Sequence, residues 1–220
     1  NQEVPKTSAS VVSVGSVPYE LEVEPEPVVL ENIKQLNATS VIRSTRNLGS
    51  IFYKIRENES VGVAPERSRK HNSELLSSVV HKEISDAAYL DEYDDTMAEV
   101  LENGREGDET IIGSTTRLCQ HVNGIMLEGN CIVAVSDANG VIGLNNRWNA
   151  TSVSKSVAHI DLAHKDLSLL QKTIFNNVER ELVQARPVYV LKNGKYTLHY
   201  EMEDSAGCIH CVDSMQIDRV

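Results

Sequence analysis

An α+β fold, with antiparallel sheets and helices packed against them, follows from three stretches of this sequence. Leu118 to Trp148 reads as a β-meander, Ala163 to Leu182 carries apolar residues at helical spacing, and Val188 to Val212 returns to strand-like runs separated by turns. A helix followed by an antiparallel hairpin and a third strand makes a compact unit, the helix lying across one sheet face.

Residues 1 to about 27 are rich in Ser, Val, Glu and Pro, with Pro18, Pro25 and Pro27 spaced so that no long helix runs through them, and a flexible or extended lead-in is expected. Val28 to Leu36 suits a short strand or helix, Ser50 to Arg56 is strand-like in its β-branched and aromatic content, and Gly62 to Asn72 reads as a charged loop. Leu76, Val80, Ile84, Ala87 and Ala88 then recur at helical spacing, so an amphipathic helix capped by Asn72 or Ser73 is expected to about Leu90. Asp95 can cap a second short helix through Leu101, which stops near Asn103-Gly104.

In the meander, Thr115 to Val122 and Cys131 to Asp137 are strand runs joined by a loop with Asn123-Gly124 and Gly129-Asn130, and Val141 to Leu144 follows Asn139-Gly140. The last dipeptide is expected to form the tight type I′ hairpin. Asn149 to Ser156 is a polar connection. Ala163, Leu167, Leu170, Ile174, Val178 and Leu182 step by three or four and share one helix face, and Arg186-Pro187 ends that helix. Val188 to Leu191, the turn Asn193-Gly194, Tyr196 to Met202 and Cys208 to Val212 complete the pattern. The expected organisation is a lead-in over 1–27, an α+β segment over 28–110, the meander over 111–150 and a helix-plus-strands unit over 151–220.

Composition narrows the function. With 220 residues and 40% apolar content the chain can bury a real core, whereas aromatics make up only 5% and the formal charge is −11. Few aromatics and an acidic balance argue against a stacking or phosphate-binding surface for nucleic acid. The one basic cluster, Arg67-Ser68-Arg69-Lys70, is read as an exposed loop or a protease-sensitive site rather than a binding site. No apolar run has the roughly 20 residues that span a bilayer, so no membrane insertion is expected. The chain opens on Asn1-Gln2-Glu3, as expected of one whose targeting segment has been processed away. Asn37-Ala38-Thr39, Asn58-Glu59-Ser60 and Asn149-Ala150-Thr151 fit the N-glycosylation sequon, a pattern short enough to recur by chance.

Gln120, Asn123, Gly124, Ile125, Gly129, Val133, Val135, Asp137 and Gly140 stand in the order found in the fungalysin/thermolysin-type propeptide motif, which this stretch resembles. Pro187-Val188-Tyr189-Val190, the hairpin after it and Cys211-Val212-Asp213 are similar to the PepSY domain that accompanies that motif, although Ser214 stands where a glycine usually follows the Asp. The resemblance implies a cystatin-like arrangement of helix and antiparallel strands. It also implies a non-catalytic extracytoplasmic module, secreted or in the cell envelope, that binds and inhibits a metallopeptidase or assists its folding. No HExxH occurs in the sequence, so zincin chemistry is not expected here.

The strongest chemical candidate is Cys208-Ile209-His210-Cys211, since a CxxC serves as a redox pair or as half of a zinc site. Further zinc ligands would have to come from Cys119, Cys131, His121 or His199. The plainer reading is structural disulfides among Cys119, Cys131, Cys208 and Cys211; Cys119 and Cys131 flank Ile125 symmetrically and can face each other across a hairpin. Free thiols are the third reading. The acidic run Asp91, Glu92, Asp94 and Asp95 lacks the calcium-loop pattern and is read as a solvated face. His159 and His164, like Asp161 and Asp166, stand five apart and do not share a helix face. No GxSxG elbow or phosphate-cradling glycine motif occurs. No cofactor, metal or catalytic residue is therefore assigned, and the expected function is a protein-binding module acting through a sheet edge or the long helix. The alternatives are a free-standing sensor or adaptor for a small ligand or envelope protein, and a zinc- or thiol-dependent enzyme using Cys208 and Cys211.

Overall fold

The computed structural model describes residues 15–46, 48–57, 65–80, 89–100, 106–161 and 182–217. Its strands are β1 (Ser16–Pro18), β2 (Glu20–Pro27), β3 (Ser40–Ser44), β4 (Ser50–Lys54), β5 (Tyr89–Val100), β6 (Glu106–Val122), β7 (Ile125–Asp137) and β8 (Gly140–Asn146). They continue with β9 (Asn149–Ser152), β10 (His159–Asp161), β11 (Leu182–Lys192), β12 (Lys195–Asp204) and β13 (Ile209–Asp213). Among the described residues the helices are short: a 3-10 turn at Glu31–Leu36, α1 at Pro65–Leu75 running into a π turn at Leu76–Val80, and α2 at Ser214–Ile217.

Eleven of the strands form one sheet, and β1 pairs with β10 in a small second one. β7 carries the architecture. One side of it pairs antiparallel with β6 along most of its length; the other is shared, β8 pairing from Ile132 onward and β11 meeting it in parallel at Leu127 and Tyr189. That parallel contact joins the run β3-β4-β8-β7-β6-β5 to the run β11-β12-β2-β9, with β13 also beside β12. Lys195 pairs with Glu22 at the start of the β12–β2 ladder, and its ammonium lies 2.7 Å from Glu20 and 2.9 Å from Glu22.

This architecture overturns the α+β, propeptide/PepSY-like (cystatin-like) expectation, because stretches assigned to helices and loops pair as strands. Asp95 to Val100 is not a capped helix: Tyr89–Val100 is a strand zipped to β6, and Leu101 lies outside the described residues. The helix expected from Ser73 instead begins at Pro65, inside the supposed charged loop, where proline suits a first helical position. Of the two readings of the lead-in, flexible or extended, the residues from Ser16 onward take the extended one, β2 sitting between β12 and β9. Leu182 to Pro187 does not end a helix but opens β11, with Pro187 opposite Tyr200. Most of the expected helix, 162–181, lies outside the described residues.

The meander strands β6, β7 and β8 pair in chain order, and both of their turns differ from expectation: the type I′ hairpin lies at Asn123-Gly124 and not at Asn139-Gly140. Asn123-Gly124 (φ 52° and 77°) and Asn193-Gly194 (φ 53° and 79°) have the two left-handed residues of a type I′ turn, so the long loop expected after Val122 is a two-residue hairpin. At the third turn, Ala138-Asn139 form the loop and only Gly140 has positive φ (138°), with Asn139 N–H donating to Asp137 Oδ1 at 2.8 Å.

Three apolar clusters fill the interior. Leu118, Ile132, Ala134 and Leu144 of the meander are covered by Leu76, Leu30, Ile33 and Trp148. Val17, Leu21, Ile125, Leu127, Ile160, Tyr189, Tyr196 and Leu198 lie where the two runs of strands meet, and Leu182, Tyr200, Met202 and Ile217 form the third. The seat of α1 is polar. Ser68 bonds Ser114 through their hydroxyls, Asn72 Nδ2 donates to the Ser114 carbonyl (2.9 Å) and Ser136 Oγ to that of Ser68 (2.6 Å). A side chain at Gly113 would put its Cβ 2.4 Å from the Ser136 carbonyl, so only glycine fits there.

Buried asparagines fasten the crossing between β8 and β9. Asn130 exchanges two hydrogen bonds with the Asn149 backbone (both 2.9 Å), Asn149 Nδ2 donates to the Glu24 carbonyl (2.9 Å) and Asn146 Nδ2 to that of Val28 (2.8 Å). Truncating Asn130 leaves a buried N–H and a buried C=O of Asn149 without that partner. Asn130→Ala is therefore expected to lower unfolding free energy by about 3 kcal/mol in urea denaturation, with an unchanged slope.

Burial also raises the tyrosine pKa values: Tyr196 and Tyr200 are pushed up to about 12 and Tyr189 well beyond its ordinary value. The folded state holds these protons more tightly than the unfolded chain, so their contribution to stability is complete below about pH 10 and is lost as pH rises through the folded values. Phenolate absorbance should then rise in two steps, the later one coinciding with loss of circular dichroism. A single step near pH 10 with the fold intact would contradict it.

Candidate functional site

The turn between β12 and β13 holds the CxxC. Asp204, fully buried, uses its carboxylate to close it: Oδ1 accepts from the backbone N–H groups of Ala206 (2.9 Å) and Cys208 (3.0 Å), and Oδ2 lies 2.9 Å from His210 Nε2. Asp204 N–H in turn donates to the Cys208 carbonyl (3.0 Å), and Gly207, at φ 79°, completes the bend. The Asp–His pair thus serves the geometry of a hairpin.

The cysteines divide. Cys119 and Cys131, opposite each other on β6 and β7, form a disulfide, as their placement about Ile125 suggests. Cys208 and Cys211 are free and exposed, which corrects their reading as disulfide partners. Cys211 is pushed above the ordinary thiol range, first by desolvation against the sheet and then by Glu128, Glu201 and Asp213, so at neutral pH it is a thiol rather than a nucleophilic thiolate. The disulfide removes Cys119 and Cys131 from any zinc set. His121 and His199 are each turned to a backbone carbonyl, of Cys119 (3.2 Å) and Thr197 (2.9 Å), and no group of three potential metal ligands occurs among the described residues.

The remaining candidates scatter. Arg67 and Lys70 are exposed on α1, not in a loop, and Lys70 faces Glu74 at 3.8 Å. Asp91 to Asp95 lie in strand β5, His159 and Asp161 in β10, and His164 and Asp166 outside the described residues. Asp137 accepts a two-pronged contact from Arg56, which also reaches the Gly140 carbonyl (2.7 Å) and so anchors the chain after β4 to the meander turn. The crevice lined by Gln184, Arg186, Glu201, Met202, Glu203 and Ile209 holds about 40 Å³, room for a water or two and no small organic ligand. No helix among the described residues is long and apolar enough to cross a membrane.

What distinguishes this surface is β3. Among the described residues it pairs only with β4, it stands at the end of the sheet, and all five of its residues are exposed. Val41 and Ile42 are 51% and 59% exposed, two adjacent β-branched side chains on opposite faces of an unpaired edge. Natural edges are usually blunted by lysine, proline, a bulge or a covering element. β3 shows no lysine, proline or bulge, and no described residue covers its open side. Exposed Arg43 and Arg46 make this corner basic in a protein of net charge −11, whereas Lys54 on β4 is neutralised by an ion pair with Glu57. A sequence signal existed: a Val-Ile pair between the left-handed turn at Asn37 and the polar stretch before Ser50.

No protein-family model matches the chain, and no curated protein or solved structure matches it either.

The division of the cysteines is directly measurable. Iodoacetamide on the native protein should add two groups, at Cys208 and Cys211, and four only after reduction and unfolding. Alkylation of Cys211 should accelerate with pH only above the usual thiol range. Two groups located on Cys119 and Cys131 would contradict the assignment.

Proposed function

We propose that this chain is a non-catalytic, extracytoplasmic protein-binding module that takes an extended segment of its partner along β3. The observation that carries this reading is the open edge itself: a strand with unpaired backbone groups on one side and Val41 and Ile42 exposed above and below. Such an edge supplies main-chain hydrogen bonds for affinity and alternate side-chain contacts for specificity when a peptide adds to the sheet. The exposed guanidinium groups of Arg43 and Arg46 favour a segment that alternates apolar with acidic residues. The order of Gln120 to Gly140, with its likeness to the thermolysin-type propeptide motif, favours a peptidase as the partner. The Cys119–Cys131 disulfide supports an oxidising, extracytoplasmic compartment.

Panning the intact protein against a library of displayed extended peptides tests the reading. Selected peptides should alternate apolar and acidic positions, and lysine at either edge position, Val41→Lys or Ile42→Lys, should weaken their binding by about tenfold, a loss of about 1.4 kcal/mol. Ile209→Lys, on the exposed β13, should leave it unchanged. Equal binding by the β3 variants would sink the proposal.

A further inference from the structure

The structure assigns an N-glycan to Asn37, at the entry to β3. Two of the three sequons fall within the described residues, and their environments are opposite. Asn149 is fully buried, and its Nδ2, the atom that would carry the sugar, donates to the Glu24 carbonyl at 2.9 Å. A glycan there is incompatible with the fold. Asn37 is exposed, sits in the left-handed conformation (φ 48°, ψ 45°) that ends the 3-10 turn, and no described residue hydrogen-bonds its amide. Thr39, the sequon hydroxyl, is exposed as well, donating to the Lys54 carbonyl at 3.1 Å on the surface. Acceptor and hydroxyl therefore both lie at the surface, on a bend between two elements, as glycosylation acceptors do.

The placement has a physical use. Asn37 is three residues ahead of Ser40, so a strand added antiparallel to β3 and extending beyond it would run into the sugar. A bulky, hydrated group there confines pairing to the five residues of β3 and opposes open-ended edge-to-edge stacking, the hazard of an unguarded apolar edge. The chemistry is transfer from a lipid-diphosphate-linked oligosaccharide. The bond from the C1 of its reducing-end sugar to phosphate breaks, a bond from C1 to Asn37 Nδ2 forms, the lipid diphosphate leaves, and the amide gives up one proton.

The inference rests on the extracytoplasmic part of the proposed function and not on peptide pairing at β3. Its test supplies the compartment: the full chain is secreted from a eukaryotic host, the monodisperse fraction is treated with peptide-N-glycosidase, and converted asparagines are mapped by mass spectrometry. Conversion to aspartate at Asn37, with Asn149 untouched, is the expected result. Asn37→Gln and Thr39→Ala should each abolish the glycan at that position. An unmodified Asn37, or occupancy at Asn149 in the folded fraction, would overturn the assignment. Because mapping is done on the wild-type protein, the outcome does not depend on either variant folding.

Discussion

The reciprocal hydrogen bonds between Asn130 and Asn149 are the constraint on which the rest of the sheet depends. β8 ends at Asn146 beside β4 and β9 begins at Asn149 beside β2, so the chain crosses from one run of strands to the other within two residues. At so abrupt a crossing the backbone polar groups lose their ladder partners, and buried ones must find others. Asparagine suits this need because its side chain offers a donor and an acceptor together, in the same geometry as a peptide group. Trp148, between the two, fills the space with apolar volume: its backbone N–H meets Asn146 Oδ1 at 3.0 Å and its carbonyl receives the Val28 N–H at 2.8 Å. Hydrogen bonding and packing here point to one arrangement, the consistency that gives a sequence a single fold.

From that crossing the work of the surface follows by exclusion and by position. Several polar and sulfur groups are engaged in structure: Asp204 and His210 shape a hairpin, Asp137 anchors Arg56, and Cys119 with Cys131 staples β6 to β7, while Cys208 and Cys211 stay free, the latter held as a thiol. β3, by contrast, lies at the far end of the sheet and is held by a single neighbour. A strand held on one side only is the part of a sheet best able to accept a partner without disturbing a core.

Local chemistry was legible at several strands and turns, though not at Asn139-Gly140, where only Gly140 has positive φ. Asn193-Gly194 and the alternating runs around it, the three meander strands, and the symmetric setting of Cys119 and Cys131 could all be read because turn preference and two-residue periodicity act over a few neighbours. Partner-dependent structure could not. Tyr89 to Val100 carries acidic residues that read as a helix start, yet the run lies against Arg117 and Leu118 of a long neighbouring strand, and pairing overrides propensity. Leu182 continued a helical spacing and became a strand for the same reason. Pro65, at the first position of α1, is a local helix signal set within a charged stretch that otherwise resembles a loop. β3 is hard to read because only its Val-Ile pair is β-branched, among serines and Arg43, and its importance comes from what does not pair with it.

The pairing of Glu22 with Lys195 has a bearing on synthesis. In a chain made from its N-terminus, β2 is complete long before β12 exists, and such distant pairing is slow to form. During that interval β2 is a strand without its permanent neighbour, the sort of segment that joins with the wrong partner. Its sequence, Glu-Leu-Glu-Val-Glu-Pro-Glu-Pro, answers the hazard: a carboxylate at every second position repels copies of itself, and two prolines withhold backbone donors. When β12 arrives, the ammonium of Lys195 settles between Glu20 and Glu22. The charges that kept the strand solitary then mark the register in which it is finally received.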